Sequence, residues 1–442
     1  MATPNILDVI VNTRKDVISN SNKPLDILLR IRGQEQAQTK RTPLAIALVI
    51  DRSGSMSGSR LEEAKRCCLD LLNRLDDTDK ISVIVYASTV KVLVELMIVS
   101  KAKSILPMAL NNVSTGGCTD LHGGWIKGAE TLAPLTSSDY VCRVILLSDG
   151  QANEGLTDEN QITSQVKDLA LAGVTTTTVG IGEGFNESLM TKMANAGQGN
   201  AWYGQRVEDL KESFDAEISY LTHIIWKNVR VEISGYLNAV KIHNDYEKNA
   251  LNQYCLPSIA AGSEVWLGLS IPMCEIVQLQ AIEKDLVFNI KAIDEYDIEQ
   301  TLTVKLPKLE IVTPLAYDRA SSNEMVVQRF QEIEIADIQK EIYRYVERRD
   351  WIEVDRMMLT LKERAQENPW LEKSIAYIEK LVKLRDYQSA SKELEYSSRI
   401  MKNRLTDRDE ELMFENRHFE DSKLSFLRRK SAQGRNSQSQ EE

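Results

Sequence analysis

An uninterrupted apolar run, Ala45-Ile46-Ala47-Leu48-Val49-Ile50, leads straight into Asp51-Arg52-Ser53-Gly54-Ser55-Met56-Ser57. Apolar residues without alternation predict a strand buried on both faces, as in a parallel sheet covered by helices. A polar cluster directly after such a strand lies at its carboxyl end, the edge where open α/β sheets bind ligands. That edge carries one carboxylate, Asp51, and two hydroxyls, Ser53 and Ser55. An all-oxygen donor set suits a hard divalent cation such as Mg²⁺ and not zinc.

The segment 42–223 alternates strand and helix throughout. After the motif, Leu61, Ala64, Cys68, Leu71, Leu72 and Leu75 recur at helical spacing. Residues 81–86 read as a strand, and 90–94 as its antiparallel partner. Helices are expected near 101–110 and 120–133. Val144-Ile145-Leu146-Leu147 is a second continuous buried strand, ending in Ser148-Asp149-Gly150. A helix near 159–172, a strand at 174–181, a short strand at 201–203 and a helix near 207–223 complete the segment. This order predicts an α/β fold with a doubly wound, mainly parallel sheet, and it puts Asp51 and Asp149 on the same edge.

The flanks read differently. Residues 224–320 show period-two alternation, as in Val229-Arg230-Val231-Glu232-Ile233, with Gly and Pro punctuation and no helical spacing. They predict an antiparallel β-sandwich. The N-terminal segment 1–41 holds two similar strands, near 6–11 and 25–31. They are expected to pair with the sandwich, which makes the 42–223 domain an insertion. From 321 to 405 the pattern turns helical, with a first stripe of Val326, Phe330, Ile333, Ile338, Ile342 and Val346. Three further helices are expected at 350–367, 369–384 and 386–404, packed as a small bundle or a hairpin array. Asn368-Pro369 marks one break, since Pro is tolerated in a helix's first turn. Residues 406–442 read as a flexible basic tail carrying Lys423, Arg428, Arg429, Lys430 and Arg435, with Leu424, Phe426 and Leu427 as a possible docking peptide.

Composition narrows the function classes. At 442 residues the chain exceeds one ordinary core. A net charge of −11 at pH 7 argues against nucleic-acid binding. No apolar run is long enough to span a membrane. The first residues lack the basic and apolar regions of an export signal. The six cysteines show no C-x-x-C spacing and include the adjacent pair Cys67 and Cys68. Free thiols in a reducing cytoplasm are the simplest reading.

Three separated pieces complete the site: Asp51, Ser53 and Ser55; the loop Gly116-Gly117-Cys118-Thr119-Asp120; and Asp149. Together they resemble the von Willebrand factor A domain with its metal-ion-dependent adhesion site, over about 42–223. The D-x-S-x-S motif falls on Asp51, Ser53 and Ser55, the loop threonine on Thr119 and the late aspartate on Asp149. The resemblance implies Mg²⁺ or Mn²⁺ on these five residues, with one coordination position open to an Asp or Glu carboxylate of a protein partner. Met56, Gly117, Cys118, Asp120, His122, Gln151, Asn153 and Glu154 are then read as the rim that touches this partner. For His122 a surface-helix position, and for Cys118 small-residue packing, are the plainer readings. The layout resembles that of several bacterial A-domain proteins, which implies a non-catalytic scaffold in a signalling, stress or defence complex, placed in the cytoplasm by the cysteine reading above. Two rivals are a metal-dependent phosphoester hydrolase and an exported adhesion protein. Hydrolases of the haloacid dehalogenase type need a second aspartate where this chain has Ser53. No Walker A or H-E-x-x-H sequence occurs.

Overall fold

The computed structural model describes residues 7–33, 42–136, 140–149, 152–181, 186–204, 214, 217–235, 239–294, 296–366, 368–403 and 406–407. They form two compact units, one within 38–224 and one joining the residues before 37 to those from 225 onward. Strands β1 (Asp8–Thr13), β2 (Val17–Ser19) and β3 (Pro24–Arg32) precede the α/β unit in the chain and belong to the other.

The α/β unit is one six-stranded sheet. Its strands are β4 (Leu44–Asp51), β5 (Lys80–Tyr86), β6 (Val90–Ile98), β7 (Val141–Ser148), β8 (Val174–Ile181) and β9 (Gln198–Gly204). The order is β6-β5-β4-β7-β8-β9, with only the β5–β6 pair antiparallel. All eight residues of β4 and of β7 are buried, as in a sheet covered on both faces, and β7 takes Arg143 inside with its apolar run. On one face, Leu44, Ile46, Leu48 and Ile50 meet Leu61, Ala64, Cys68, Leu71 and Leu72 of α1 (Ser59–Arg74). This face also takes α2 (Val99–Asn111) through Val99, Ala102, Leu106 and Leu110.

The other face takes α3 (Leu121–Leu132) at very close range. A Cβ on Gly124 would stand 2.4 Å from the Tyr86 ring, and one on Gly128 would stand 2.6 Å from Val49. Strand β8 solves a different problem, because it buries a run of threonines. Each hydroxyl finds a partner. Thr175 donates to Cys142 O at 2.8 Å, Thr178 to Met190 O at 2.9 Å, and Thr177 to Glu217 Oε1 at 2.7 Å. Thr176 accepts from the Trp125 indole N–H at 3.0 Å. Buried hydroxyls are tolerated on such terms.

The second unit is a sandwich of two sheets. One has the order β1-β3-β14-β11, where β14 is Ser263–Pro272 and β11 is Lys241–Ile242. The other has the order β12-β10-β15-β16, with β12 Tyr254–Leu256, β10 Ile224–Ser234, β15 Val287–Ile293 and β16 Glu299–Lys305, and β13 (Ile259–Ala260) also pairs with β10. The N-terminal strand β3 runs antiparallel to β14 over nine residue pairs, from Glu264↔Arg32 to Pro272↔Pro24. Leu25, Ile27, Leu29 and Ile31 of β3 point inward with Val265, Leu267, Leu269 and Ile271 of β14. They meet Val229 and Val231 of β10 and Phe288, Ile290 and Ala292 of β15. The alternate residues Leu28 and Trp266 pack under the helix Glu324–Glu347 through Val326, Phe330 and Ile333.

The four C-terminal helices, Glu324–Glu347, Trp351–Arg364, Pro369–Lys383 and Tyr387–Asn403, pack on one another as a small bundle. Asn368 caps the third by accepting from Leu371 N at 3.2 Å, with Pro369 in the first turn. Thr406–Asp407 adds a short strand to β14.

Three features depart from the sequence reading. Helix α4 (Glu159–Leu171) lies where the sequence places it, but α5 (Glu187–Ala196) was not anticipated, although Asn186 caps it and Gly197 follows its end. The β region contains a helix, Met273–Ala281, which buries Met273, Ile276 and Leu279 at i, i+3 and i+6. This corrects the reading of no helical spacing there. On the long helix Val326, Phe330, Ile333, Ile342 and Val346 are buried as expected and Ile338 is half-buried, while Ile335, Ala336 and Gln339 are buried as well, so the buried face is wider than the stripe. The basic tail beyond 407, with its Leu424, Phe426 and Leu427, and most of the 207–216 helix start lie outside the described residues. Among the described residues no helix is long and apolar enough to cross a membrane.

The approach of α3 to the sheet yields a test. Gly124→Ala should destabilise the chain by about 1–3 kcal/mol through overpacking against Tyr86, outweighing the ~1 kcal/mol gain in helix propensity. Urea unfolding of the variant and the wild type measures it.

Candidate metal centre

Strands β4 and β7 are parallel neighbours, registered through Ile50↔Leu147. Their tips therefore end side by side, and Asp51, the last residue of β4, and Asp149, the first residue beyond β7, are both fully buried. Asp51 is held at both oxygens. Its Oδ1 accepts from Ser53 N at 2.8 Å, and its Oδ2 accepts from Ser148 Oγ at 2.7 Å. Burial pushes the Asp51 carboxyl above the usual carboxylate range, and the Asp149 charge pushes the same way. The hydrogen bonds from Ser53 and Ser148 pull against this shift.

The loop after β4 turns through a short 3-10 segment, Gly54–Met56. Ser53 and Ser55 Oγ stand 3.0 Å apart, so the two hydroxyls converge. Ser53 is buried and Ser55 half-buried. The second loop is tied to the first by two backbone hydrogen bonds, Gly54 N to Gly117 O at 3.0 Å and Gly116 N to Arg52 O at 2.9 Å. Gly117 has φ +83°, and a side chain there would also crowd Ser88 Oγ at 3.0 Å. Only glycine makes this turn without strain.

Thr119 is buried and fixed through its backbone. Its N–H donates to Asn153 Oδ1 at 2.7 Å, and its carbonyl accepts from Asn153 N at 3.1 Å and Glu154 N at 3.2 Å. Asp120 then caps α3, accepting from Gly123 N at 2.8 Å. Asp149 faces the guanidinium of Arg60, with Nη1 at 3.8 Å from Oδ2.

The remaining rim residues divide. Gly117, Cys118 and Asn153 are exposed and Glu154 is half-buried. Cys118 N donates to Ser88 Oγ at 2.9 Å, which steadies the loop. His122 Nε2 is paired with Gln165 Oε1 at 2.8 Å, and its ring lies 5.9 Å from that of Trp125. Met56 corrects the sequence reading: it is fully buried in the α/β core and cannot touch a partner. Gln151 lies outside the described residues. Sequence reasoning missed Ser148 and Arg60. Ser148 could have been noticed as the last strand residue before Asp149, and Arg60 as a cation in the first turn after the motif.

The donor set fits a hard dication. Two buried carboxylates share one edge with hydroxyls on Ser53, Ser55 and Thr119, and like charges buried together call for a cation. Among the described residues no three His, Cys, Asp or Glu side chains cluster as a metal site. A site of this kind therefore depends on hydroxyl oxygens.

Comparison with known proteins gives the same fold. The model of the von Willebrand factor type A domain matches residues 45–216. An uncharacterized protein of Synechocystis sp. is 30% identical over 176 residues, covering 40% of this chain and 41% of the relative. The uncharacterized protein YfbK of Escherichia coli is 26% identical over 211 residues, covering 47% of this chain and 36% of YfbK. The alignments thus span about two-fifths of these relatives' lengths. Among solved structures, a von Willebrand factor type A protein from Catenulispora acidiphila superposes with a TM-score of 0.67 at 13% identity, covering 91% of this chain and 98% of its own. The ArnB paralog VWA2 from Sulfolobus acidocaldarius superposes with a TM-score of 0.60 at 16% identity, covering 89% and 98%. The likeness of fold extends well beyond the matched residues. The chain carries a von Willebrand factor type A domain across 45–216.

Proposed function

We propose that this chain is a non-catalytic binding module whose A domain holds Mg²⁺ or Mn²⁺ and engages an Asp or Glu carboxylate of a protein partner. The observation that carries the reading is the pair of buried carboxylates, Asp51 and Asp149, on one edge with three hydroxyl-bearing residues. Asp51, Ser53, Ser55, Thr119 and Asp149 would hold the ion directly or through water. Neutral hydroxyls leave it electrophilic, so one open position favours an incoming carboxylate. Exposed Gly117, Cys118 and Asn153 surround that position, with half-buried Glu154 beside them. An interaction role agrees with the A domain itself, and relatives of that domain include inter-alpha-trypsin inhibitor heavy chain H1 of Sus scrofa, 30% identical over 131 residues. The setting we favour is a cytoplasmic signalling, stress or defence complex in a bacterium. No disulfide joins the cysteines among the described residues, in keeping with a reducing compartment.

Hydrolysis of the haloacid dehalogenase type, with Asp51 as nucleophile, is disfavoured by the residues around it. The position two residues on, where a general acid would stand, is Ser53.

Calorimetric titration of the full chain with Mn²⁺ should give one saturable site in the wild type and none in Asp51→Ala. Thr119→Ala should bind more weakly than wild type but measurably, because water can replace one neutral oxygen. Equal affinity for Thr119→Ala and wild type would remove Thr119 from the ligand set. In a native lysate with Mg²⁺, the wild type should retain a protein that Asp51→Ala does not, and chelator should release it. Identical retention in every condition would mean that the metal is not the recognition element.

Stability supplies an independent readout. The Asp51 carboxyl is raised above its unfolded value. The metal-free fold therefore binds more protons than the unfolded chain in the window above the ordinary carboxylate range, and loses stability as pH rises through it. In chelator, Asp51→Asn should melt higher than wild type at neutral pH, and the gap should narrow as pH falls toward that range. In the wild type alone, saturating Mg²⁺ should raise the melting temperature, since at about a hundred times Kd binding contributes ~2.7 kcal/mol.

A further inference from the structure

Arg60 stands in the first turn of α1, beside the donor loop. Its Nη1 donates to Ser55 O at 2.9 Å and lies 3.8 Å from Asp149 Oδ2. One guanidinium thus grips the backbone of the Ser53–Ser55 loop and faces the carboxylate beyond the neighbouring strand. The Asp149 side chain is 1% exposed, while that of Arg60 is 34% exposed. Guanidinium cannot discharge at any ordinary pH, so the protein itself brings a permanent positive charge to the carboxylate pair.

We propose that Arg60 is an internal counter-ion that competes with the dication for Asp149 and so sets the metal affinity of the site. The inference rests on the metal-binding reading above. Without a metal, the Arg60 charge offsets part of the repulsion between two buried carboxylates and holds the Ser55 backbone in place. With a metal, the same charge lies beside a dication on a shared carboxylate and opposes it. Charges a few ångströms apart interact strongly near a protein surface. Solvent around the partly exposed arginine screens much of this and reduces the expected effect to about tenfold in affinity. The exposed part of the side chain also gives the guanidinium a way to turn into water while the dication is held. The site is thereby tuned to bind its ion reversibly, and not as a permanent staple.

The test compares full-length wild type with Arg60→Gln, Arg60→Met and Arg60→Lys in Mn²⁺ titrations at low salt, read by calorimetry and by the electron paramagnetic resonance signal of free Mn²⁺. Gln keeps a donor for Ser55 O without the charge, Met removes both, and Lys keeps the charge. The expected result is about tenfold tighter binding in Arg60→Gln and Arg60→Met, with Arg60→Lys near wild type. Unchanged or weaker binding in folded Arg60→Gln and Arg60→Met overturns the counter-ion role and leaves the metal site standing. Absence of saturable binding in wild type and in all three variants overturns both. Loss of the folded state, by circular dichroism, in both uncharged variants makes Arg60 a structural bond and also overturns the proposal.

Discussion

Two carboxylates buried at the tips of adjacent parallel strands are the constraint from which the rest of the A domain follows. The register Ile50↔Leu147 brings Asp51 and Asp149 to one edge, and neither has access to bulk water. A buried charge costs far more than a buried hydroxyl unless it is paired or hydrogen-bonded. The surrounding loops are organised to meet that cost. Ser53 N and Ser148 Oγ satisfy Asp51, Arg60 faces Asp149, and backbone bonds from Gly54 and Gly116 lock the loops together. These loops are short, polar and glycine-rich: Ser53, Ser55 and Thr119 supply hydroxyls, and Gly117 supplies a turn that needs a positive φ.

The A domain was legible because its signals are local. A run such as Ala45 to Ile50 is apolar on both faces, and the polar motif follows it without a spacer. Gly-Gly before Thr119 announces a loop, and Asp120 announces a cap. What escaped was set by other parts of the chain. Met56 sits among loop residues, yet the turn Gly54–Met56 swings its side chain into the core beneath α1. Arg60 reads as an ordinary helix-surface cation until the folded chain brings Asp149 within reach. Helix α5 lies between two glycine-rich stretches, so its few apolar residues were too short a pattern to register. The helix Met273–Ala281 was hidden for the same reason, inside a region whose dominant period is two.

The second unit shows how non-local burial shapes a sequence. Strand β3 is buried at seven successive positions, Leu25 to Ile31, although it belongs to an antiparallel sheet. Its odd-numbered residues fill the sandwich and Leu28 lies under the helix Glu324–Glu347, so both faces are covered. That double cover brings Arg30 inside as well, at 3% exposure, where it makes a two-pronged contact with buried Glu264. A planar guanidinium on a carboxylate satisfies both groups with the fewest stray donors. The buried face of the helix is widened to Ile335 and Ala336 by the same demand. The helix must cover a sheet on one side and its own bundle partners on the others.

The two units handle buried charge differently, and the contrast bears on function. In the sandwich, Glu264 receives Arg30 at 2.8 Å and Arg32 at 3.3 Å, and the carboxylate is fully engaged. Such a pair is a structural lock, since removing either partner leaves a charge stranded. At the A-domain edge, Asp149 has its guanidinium at 3.8 Å, outside hydrogen-bond range, and that guanidinium is bonded to a backbone carbonyl instead. The hydroxyls of Ser53 and Ser55 converge on the same edge, 3.0 Å apart. The two arginines thus act differently: Arg30 is committed to its carboxylate, whereas Arg60 ties down the Ser53–Ser55 loop and faces Asp149 from 3.8 Å, the arrangement that the proposed competition between Arg60 and a dication requires.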